Sequence, residues 1–324
     1  MKIAITGERG FIGDNLGRLI QASDHEFVSL MDDEDLTVRR HKTNEPCVWG
    51  NSEDVWSSVL SNRGIDVIVH NAAVVGTDVV ALNAEDSSLS NVMGTHNIAR
   101  AARKANVPVC YMGTTVIYDT EKYQDRPIFE DSDLNPRTFY GVQKLAGEQI
   151  VRSTARDWVI MRPLFAYGGV GDMNSLIAKT IYSALNKVDS LDMFLNPSKT
   201  KDYMHVSDFC NAVFMSCVKG MFGDDYNVAA ETPYNTGGIV EMLSNIVGKD
   251  VSSIIKWHPE TDYLGNHILS SAKFREASGW RPYITLESGI SSSLQTITSD
   301  SGAYDPLIHL NDAKEKGVDL TDYY

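Results

Sequence analysis

Tyr140 and Lys144 are the two side chains in this sequence whose types and spacing most directly suggest catalysis. They stand four residues apart in a segment predicted to be helical, residues 138–153, so they share one helix face. A phenol near its usual pKa of about 10 is a poor base at neutral pH, but a neighbouring ammonium stabilises the phenolate and lowers that pKa. The pair predicts a tyrosine that removes a proton from a substrate hydroxyl. An exposed helix pair is the alternative.

A glycine-rich turn, G-E-R-G-F-I-G at residues 7–13, directly follows a short apolar strand predicted at residues 2–6. In this interpretation Gly7 makes a tight turn, Gly10 lets the backbone approach a phosphate, and Gly13 lets the next helix pack closely on the sheet. The free N–H groups at the start of that helix then face a dinucleotide pyrophosphate. A plain strand–helix turn is the alternative. Together with the Tyr–Lys pair, the turn predicts a dinucleotide-dependent enzyme that moves a hydride.

Asp32 lies at the end of the second predicted strand, residues 27–31. A carboxylate at this place accepts a hydrogen bond from an adenosine ribose and repels a 2′-phosphate, which favours NAD over NADP. A solvated acidic loop is the alternative, because Asp32 opens a run of four acidic residues. Arg39 and Arg40 follow soon after and keep NADP open as the cofactor.

A hydroxyl that orients the substrate oxygen is expected beside the tyrosine. Thr114 is the first candidate and Thr115 the second, because both follow the fourth predicted strand, residues 106–112. Parallel sheets bind ligands at the carboxyl ends of their strands, which places these threonines at the predicted site. The alternative is that either threonine caps a loop.

Short apolar strands alternate with helices in the first half of the chain, which predicts an α/β fold with a doubly wound parallel sheet. After Pro163 the pattern changes, and a strand near residues 225–229 is expected to return to this sheet. The stretch 233–295 is expected to belong to a smaller α/β lobe that binds substrate. We therefore predict a dinucleotide-binding domain at 1–165 with a return strand near 225–230, a substrate lobe at 166–298 and a polar tail at 299–324.

Composition limits the function classes that fit the chain. Its 324 residues, 43% of them hydrophobic, carry a net charge of −14, which argues against a nucleic-acid partner and against adhesion to anionic lipid. No apolar run approaches the ~18 residues of a membrane span, and the first residues do not resemble a signal peptide. The four cysteines form no C-x-x-C pair, which favours reduced thiols in a cytoplasmic protein. The eight histidines form no spaced cluster, so no metal site is expected.

Several segments, in the same order, resemble those of the extended short-chain dehydrogenase/reductases, and within them the NAD-dependent epimerase/dehydratase group that modifies nucleotide sugars. The resemblance extends over roughly residues 1–295. The matching segments are T-G-x-x-G-F-I-G at 6–13, D-V-I-V-H-N-A-A at 66–73, N-V-x-G-T at 91–95, Y-x-x-x-K at 140–144, R-P and Y-G within 162–168, K-D-Y-M-H-V-x-D at 201–208 and G-W-x-P at 279–282.

The resemblance implies a Rossmann fold, a bound NAD and a role for each matching residue. Thr114 takes the serine/threonine role, Tyr140 the acid/base role and Lys144 the supporting role, in which it also holds the nicotinamide ribose. Homodimers are implied as well, formed through the two helices near 90–104 and 138–153. The implied cofactor-binding residues are Gly7, Gly10, Phe11, Ile12, Gly13, Asp32, Asn51, Ala72, Ala73, Tyr140 and Lys144. The implied substrate-binding residues are Thr114, Thr115, Phe165, Asn174, Ser175, Lys201 and Tyr203.

Departures from the family pattern narrow the expected chemistry. Dehydratases of the family place Asp-Glu directly after the threonine, whereas Thr115 and Val116 follow Thr114 here, so dehydration is not expected. Val116 also stands where the GDP-fucose synthase branch has a cysteine acid, so epimerisation at carbons 3 and 5 is not expected by that route. What remains is hydride transfer to or from one carbon.

The substrate side departs from the family too. Phe165 stands where the family often has asparagine, Lys201 stands where it often has arginine, and no second phosphate-binding arginine is found near His258. Arginine binds phosphate as a fork and lysine as a point charge, so these changes weaken the case for a nucleotide diphosphate. The lysines left near these positions are Lys179, Lys199, Lys201 and Lys256.

Three hypotheses follow from the sequence. The first is an NAD-dependent nucleotide-sugar 4-epimerase, and Asp32 favours it. The second is an NAD(P)H-dependent ketoreductase or dehydrogenase of a sugar or nucleotide sugar, and Phe165 favours it. The third is a dinucleotide-binding regulator without turnover, which predicts decay of the catalytic residues and is disfavoured because Thr114, Tyr140 and Lys144 are all present.

Overall fold

Strands and helices alternate along the computed structural model, which describes residues 1–30, 52–169, 171–172 and 175–299. The strands are β1 (Lys2–Thr6), β2 (Glu26–Val28), β3 (Val67–His70), β4 (Val109–Met112), β5 (Trp158–Pro163), β6 (Ala166–Tyr167), β7 (Leu191–Met193), β8 (Thr200–Lys201), β9 (Met204–His205), β10 (Asp224–Val228), β11 (Tyr234–Asn235) and β12 (Ile255–Trp257). The helices are α1 (Phe11–Gln21), α2 (Glu53–Asn62), α3 (Thr77–Leu82), α4 (Ala84–Ser88), α5 (Thr95–Ala105), α6 (Phe139–Thr154), α7 (Leu176–Leu185), α8 (Val206–Val218), α9 (Thr236–Val247), α10 (Ala272–Ser278) and α11 (Leu286–Ser299).

Six parallel strands form the central sheet in the order β10-β5-β4-β3-β1-β2. The order reverses beside β1, so the sheet is doubly wound, as predicted. The expected return strand is confirmed, because β10 pairs with β5 and aligns Asp224 with Val159. The carboxyl ends of β1, β3 and β4 therefore lie side by side, which brings the loops after Thr6, His70 and Met112 to one edge.

The sheet is buried on both faces, since each strand sends alternate side chains to opposite sides. On one face Ile3 and Ile5 of β1 join an apolar cluster with α1 and α8. On the other face Ala4 joins a second cluster with α2 and α5, in which Trp56 is fully buried. These two layers of helices fix the sheet edge that carries the site.

A third apolar cluster lies outside the central sheet. It is formed by α7, α9, α11 and short strands, with Ile177, Ile239 and Ile290 fully buried at its centre. Two-stranded pairings, β7 with β12 and β8 with β11, border it. This part corresponds to the predicted smaller α/β lobe, while the domain boundaries at 165 and 298 remain predictions.

Helix boundaries differ from the predicted ones in two informative places. Helix α1 begins at Phe11, three residues before the predicted start near Asp14, because the chain enters the helix directly from the glycine turn. The predicted helix 90–104 is α5 preceded by a π-helical turn, Leu89–Gly94. Across the described ranges, no helix combines the length and apolar character needed to cross a membrane.

Candidate active site

The glycine turn after β1 is packed against the loop after β3. Gly7 has a φ of 70°, which confirms the predicted unusual backbone, and a Cβ there would lie 2.8 Å from the Cα of Ala72. A Cβ on Gly13 would lie 2.1 Å from the carbonyl oxygen of Gly7. Gly13 therefore permits close packing of α1 on the turn itself, and any larger residue at either position would push the turn apart.

The amino end of helix α1 directly follows this turn, and no side chain caps it. Gly10 occupies the N-cap position and offers no side chain, and the first backbone bond of the helix runs from Asp14 N–H to the Gly10 carbonyl at 2.9 Å. Helix geometry leaves the N–H groups of Phe11, Ile12 and Gly13 without acceptors inside the helix. A side-chain-free cradle of backbone donors fits the pyrophosphate of a dinucleotide.

His70 ties the ends of β1 and β3 to α5. Its Nδ1 lies 2.8 Å from the Thr6 hydroxyl and its Nε2 lies 3.1 Å from the Thr95 hydroxyl. Burial, with a further effect of the Lys144 charge, lowers the pKa of His70 to about 3, so the ring is neutral. The Thr6 hydroxyl also accepts the Ala72 N–H at 3.1 Å, which fixes the predicted cofactor-facing loop.

Asn91 holds the next part of that loop, a role that sequence reasoning did not assign. Its side chain accepts the Val74 N–H at 2.8 Å and donates to the Val74 carbonyl at 2.9 Å. It also donates to Gln143 of α6 at 2.8 Å. The segment that contains Ala72 and Ala73 is therefore locked to α6. The N-x-x-G-T motif at residues 91–95 was the sequence feature that could have pointed to this role of Asn91.

Thr114 and Tyr140 meet at the carboxyl edge of the sheet. Thr114 follows β4, and Tyr140 lies in the first turn of α6, whose N-cap is Thr138. Removal from water raises the pKa of Tyr140 to about 12, and the nearby Thr114 hydroxyl opposes the rise. The structure thus brings the two predicted residues together, but the predicted lowering of the pKa of Tyr140 by Lys144 is wrong, because burial raises it.

Lys144 lies one turn further along α6 and is only 3% exposed. Its Nζ lies 4.3 Å from the centre of the Tyr111 ring, a cation–π contact. Burial lowers the pKa of Lys144 to about 7, while the Glu148 carboxylate acts in the opposite direction. The charge of this ammonium therefore responds to pH near neutrality.

A buried ion cluster anchors the middle of α6. Glu148, which is 0% exposed, receives two bonds from the Arg162 guanidinium, at 3.0 and 2.7 Å. The guanidinium also contacts Asp225 of β10 at 2.6 Å and the Tyr118 hydroxyl at 2.6 Å. Helix α6 is thereby fixed to β5 and β10, which holds the helix that carries Tyr140 and Lys144 in place.

The position after Thr114 faces a histidine. Thr115 Oγ1 lies 3.0 Å from Nε2 of His267, which is 0% exposed. Burial, with a further effect of the Lys201 charge, lowers the pKa of His267 to about 3. This corner of the site therefore presents a neutral hydroxyl and a neutral imidazole. No sequence motif pointed to His267.

A cavity of about 300 Å³ is lined by Phe165, which follows β5, and otherwise by residues between 166 and 203. Three predicted substrate residues line it, namely Phe165, Ser175 and Tyr203. The Phe165 ring stacks on Tyr203 with ring centres 5.4 Å apart, and its backbone has a φ of 24°, a strained value for a bulky residue. Lys179 and Asp192 supply charge to the same wall, and sequence reasoning had not singled out Asp192.

Lys201 and Ser175 each have partners within the protein. Lys201 is 0% exposed and donates to Asp262 at 2.9 Å and to the Gly265 carbonyl at 2.7 Å. The Ser175 hydroxyl donates to Asp172 at 2.6 Å and accepts the Ala178 N–H at the start of α7. Ser175 lines the cavity, whereas Lys201 does not.

Tyr263 comes from the same loop as Asp262 and lies near Tyr140 and the start of α6. Its hydroxyl lies 3.4 Å from the Thr77 hydroxyl. Burial raises the pKa of Tyr263, and the nearby side chain of Thr138, the N-cap of α6, opposes the rise. It is close enough to Tyr140 to raise the pKa of that phenol. Sequence reasoning missed Tyr263 because this loop has no recognisable motif.

Three predicted site residues, Asp32, Asn51 and Asn174, lie outside the described residues. The predicted ribose and adenine contacts of the first two, and the substrate contact of the third, therefore remain predictions. Within the residues that the structure does describe, no group of three or more histidine, cysteine, aspartate or glutamate side chains is arranged to hold a metal ion.

Comparisons with known proteins agree with this architecture. A dTDP-glucose 4,6-dehydratase from Mycolicibacterium smegmatis is 24% identical over 97% of this chain and 98% of its own length. The structure of DesIV, a dTDP-glucose 4,6-dehydratase from Streptomyces venezuelae with NAD and TYD bound, matches with a TM-score of 0.81 at 22% identity, over 95% of this chain and 100% of that one. The structure of a UDP-glucose 4-epimerase from Thermotoga maritima matches with a TM-score of 0.79 at 19% identity, over 92% of this chain and 99% of that one.

These structural likenesses confirm the fold. A family model described as the NAD dependent epimerase/dehydratase family matches residues 3–229, which is most of the chain and includes the glycine turn, Thr114, Tyr140 and Lys144. The chain therefore belongs to the NAD-dependent epimerase/dehydratase family.

Proposed function

We propose that this protein is an NAD-dependent nucleotide-sugar 4-epimerase that acts by reversible hydride transfer at one sugar carbon. The observation that carries the proposal is the pairing of Thr114 with Tyr140 beside a buried Lys144, at the sheet edge next to the glycine turn. Relatives with the same overall fold include both sugar-nucleotide dehydratases and epimerases. The choice between dehydration and epimerisation depends on the residues around Thr114 and Tyr140.

In the proposed reaction, Tyr140 takes the proton from the sugar hydroxyl at carbon 4 and later returns it to the same oxygen. Thr114 donates a hydrogen bond to that oxygen, and the ammonium of Lys144 stabilises the phenolate. When bound, NAD accepts the hydride from carbon 4 and gives it back. The keto sugar turns between the two transfers, so the configuration at carbon 4 is inverted.

Dehydration needs an acid that donates a proton to the departing hydroxyl. Related dehydratases place Asp-Glu directly after the threonine, where this chain has Thr115 and Val116. Thr115 is buried and bonded to His267, whose pKa of about 3 leaves it neutral at physiological pH. Neither residue supplies a carboxylic acid, which supports hydride transfer without loss of water.

A ketoreductase or dehydrogenase is the second candidate, with the same residues used once per turnover and NAD(P)H exchanged each time. Two observations favour it. Phe165 gives the cavity an apolar, stacked wall, and Lys201 is paired with Asp262 within the protein. Both features weaken phosphate binding and fit a substrate other than the usual nucleotide diphosphate.

The proposal includes a homodimer in the cytoplasm. Large apolar side chains are exposed on and beside α6, the helix through which dimerisation is expected: Met93 is 49% exposed, Phe139 43% and Val142 47%. An apolar surface of this kind is typical of a contact with another protein copy. Measurement of the molecular mass in solution, with Val142→Glu as the disrupting variant, tests this part.

The function is tested by denaturing the purified protein and identifying the released dinucleotide, followed by turnover of UDP- and dTDP-glucose. We expect about one NAD per chain and a product that differs only at carbon 4, with no net change in NADH absorbance. An empty protein that consumes NADH or NADPH with a keto sugar supports the second candidate. A product that has lost water contradicts both.

A further inference from the structure

The glycine turn carries a carboxylate to the end of the neighbouring strand. Glu8, the second residue of the turn, accepts the Ser29 hydroxyl on Oε1 at 2.7 Å and the Leu30 N–H on Oε2 at 3.0 Å. Ser29 and Leu30 directly follow β2. Arg63 donates to the Ser29 carbonyl at 3.0 Å and holds this strand end from the other side.

This strand end borders the place where a dinucleotide is expected. Strand β2 is the direct neighbour of β1, with Ala4 aligned to Val28, so the end of β2 lies beside the glycine turn. In doubly wound sheets the pyrophosphate lies at the first turn, and the adenosine ribose lies near the end of the second strand. The Glu8 carboxylate joins these two places, because it belongs to the turn and is bonded to Ser29 and Leu30 at the strand end.

We propose that Glu8 is a specificity-determining residue, by which the glycine turn itself rejects the 2′-phosphate of NADP and favours NAD. This inference rests on the proposed use of a dinucleotide. A 2′-phosphate carries about −1.5 to −2 charges at neutral pH, and a neighbouring carboxylate disfavours it by like-charge repulsion. The ribose hydroxyls of NAD carry no charge and can donate to the same carboxylate. Asp32 was the only acid assigned to this task from the sequence, so Glu8 adds a second one.

The hydrogen bonds make the carboxylate a fixed feature of the site. Two donors from the strand end hold both oxygens, so Glu8 cannot swing away from an incoming phosphate without losing both bonds. A glutamate on a solvated loop would lack this constraint and would discriminate less.

The test compares dissociation constants for NAD and NADP by calorimetry, without substrate and without turnover. Glu8→Gln keeps the size of the side chain and removes its charge, and Glu8→Ala removes the whole carboxylate. Glu26→Gln is the matched control, because Glu26 lies at the opposite end of β2 in an exposed pair with Lys2 at 3.3 Å. Thermal melting of each variant checks that it is folded.

We expect the dissociation constant for NADP, divided by that for NAD, to fall about tenfold in both Glu8 variants. One neighbouring charge has an effect of about this size on an ionic equilibrium. The control should leave the ratio unchanged. An unchanged ratio in a folded Glu8 variant that still binds NAD overturns the inference about Glu8 alone. If the unaltered protein binds neither dinucleotide, both the proposed function and the inference about Glu8 fail.

Discussion

The Thr115 hydroxyl lies 3.0 Å from Nε2 of His267, across 152 positions of the chain. Both residues are buried, and His267 also lies edge-on to the Phe165 ring with centres 5.8 Å apart. The residue after Thr114 is therefore bonded into the wall between the sheet edge and the smaller lobe. Through this hydrogen bond the segment after β4 is joined to the loop that carries His267.

Thr115→Val should lower the free energy of unfolding by about 1–3 kcal/mol, because Nε2 of the buried His267 loses its partner. Urea denaturation followed by circular dichroism measures the change. Thr115→Ser keeps the hydroxyl and serves as the control, with a smaller expected loss. Equal stability of the valine variant and the unaltered protein would show that this hydrogen bond does not hold the wall together.

Tyr140→Phe should reduce kcat/KM by about 10²–10⁴-fold, the usual contribution of a positioned acid/base, and leave NAD affinity nearly unchanged. Steady-state kinetics and calorimetry on the same preparation separate the two effects. Tyr283→Phe, at a position that is 68% exposed, is the control and should keep full activity. Normal turnover by the Tyr140 variant would exclude this phenol as the base.

Lys144→Met should change how stability depends on pH. Burial lowers the pKa of Lys144 in the folded protein to about 7, below the value of about 10.4 for an unfolded chain. Between these values the unfolded state binds more protons, so raising the pH from 7 to 10 stabilises the unaltered protein. The methionine variant should lose this part of the increase, as measured by urea unfolding at several pH values.

The control for that pH series is Lys256→Met, which removes a lysine that is 67% exposed. It should show the same pH dependence as the unaltered protein. If the Lys144 and Lys256 variants give the same slope between pH 7 and 10, burial does not depress the pKa of Lys144 as described.

Glu148→Ala should be strongly destabilising, by about 3–5 kcal/mol, because it leaves the buried Arg162 guanidinium without its main partner. Asp14→Asn is the control, since it removes an exposed pair with Arg18 within α1 and should cost under about 0.5 kcal/mol. Differential scanning calorimetry compares the two. Similar melting temperatures for both variants would contradict the anchoring role of the ion cluster.

The sequence was sufficient to predict the sheet and the meeting of Thr114 with Tyr140. Apolar strands with helical connections specify a doubly wound order, and that order places the end of β4 beside the start of α6. Glycine spacing predicted an unusual backbone at Gly7, and the structure shows a φ of 70° there. These features depend on short-range patterns that repeat along the chain.

The remaining features depend on partners far apart in sequence. Lys201 looked like a free donor for phosphate, yet Asp262 binds it from a loop 61 positions away. Tyr263 reaches the start of α6 from the same loop, and Glu8 of the glycine turn reaches the segment after β2. No local periodicity encodes such contacts, because each is set by how the loops of the smaller lobe and the sheet edge pack together.

The central claim is that a hydride leaves carbon 4 of the sugar and returns to the same carbon. It is tested most directly with a nucleotide sugar that carries deuterium at carbon 4, followed by mass and proton NMR analysis of the products. The account predicts that both epimers keep the deuterium at carbon 4 and that none reaches water or free dinucleotide. Deuterium at another carbon, or in released NAD(P)H, would contradict it.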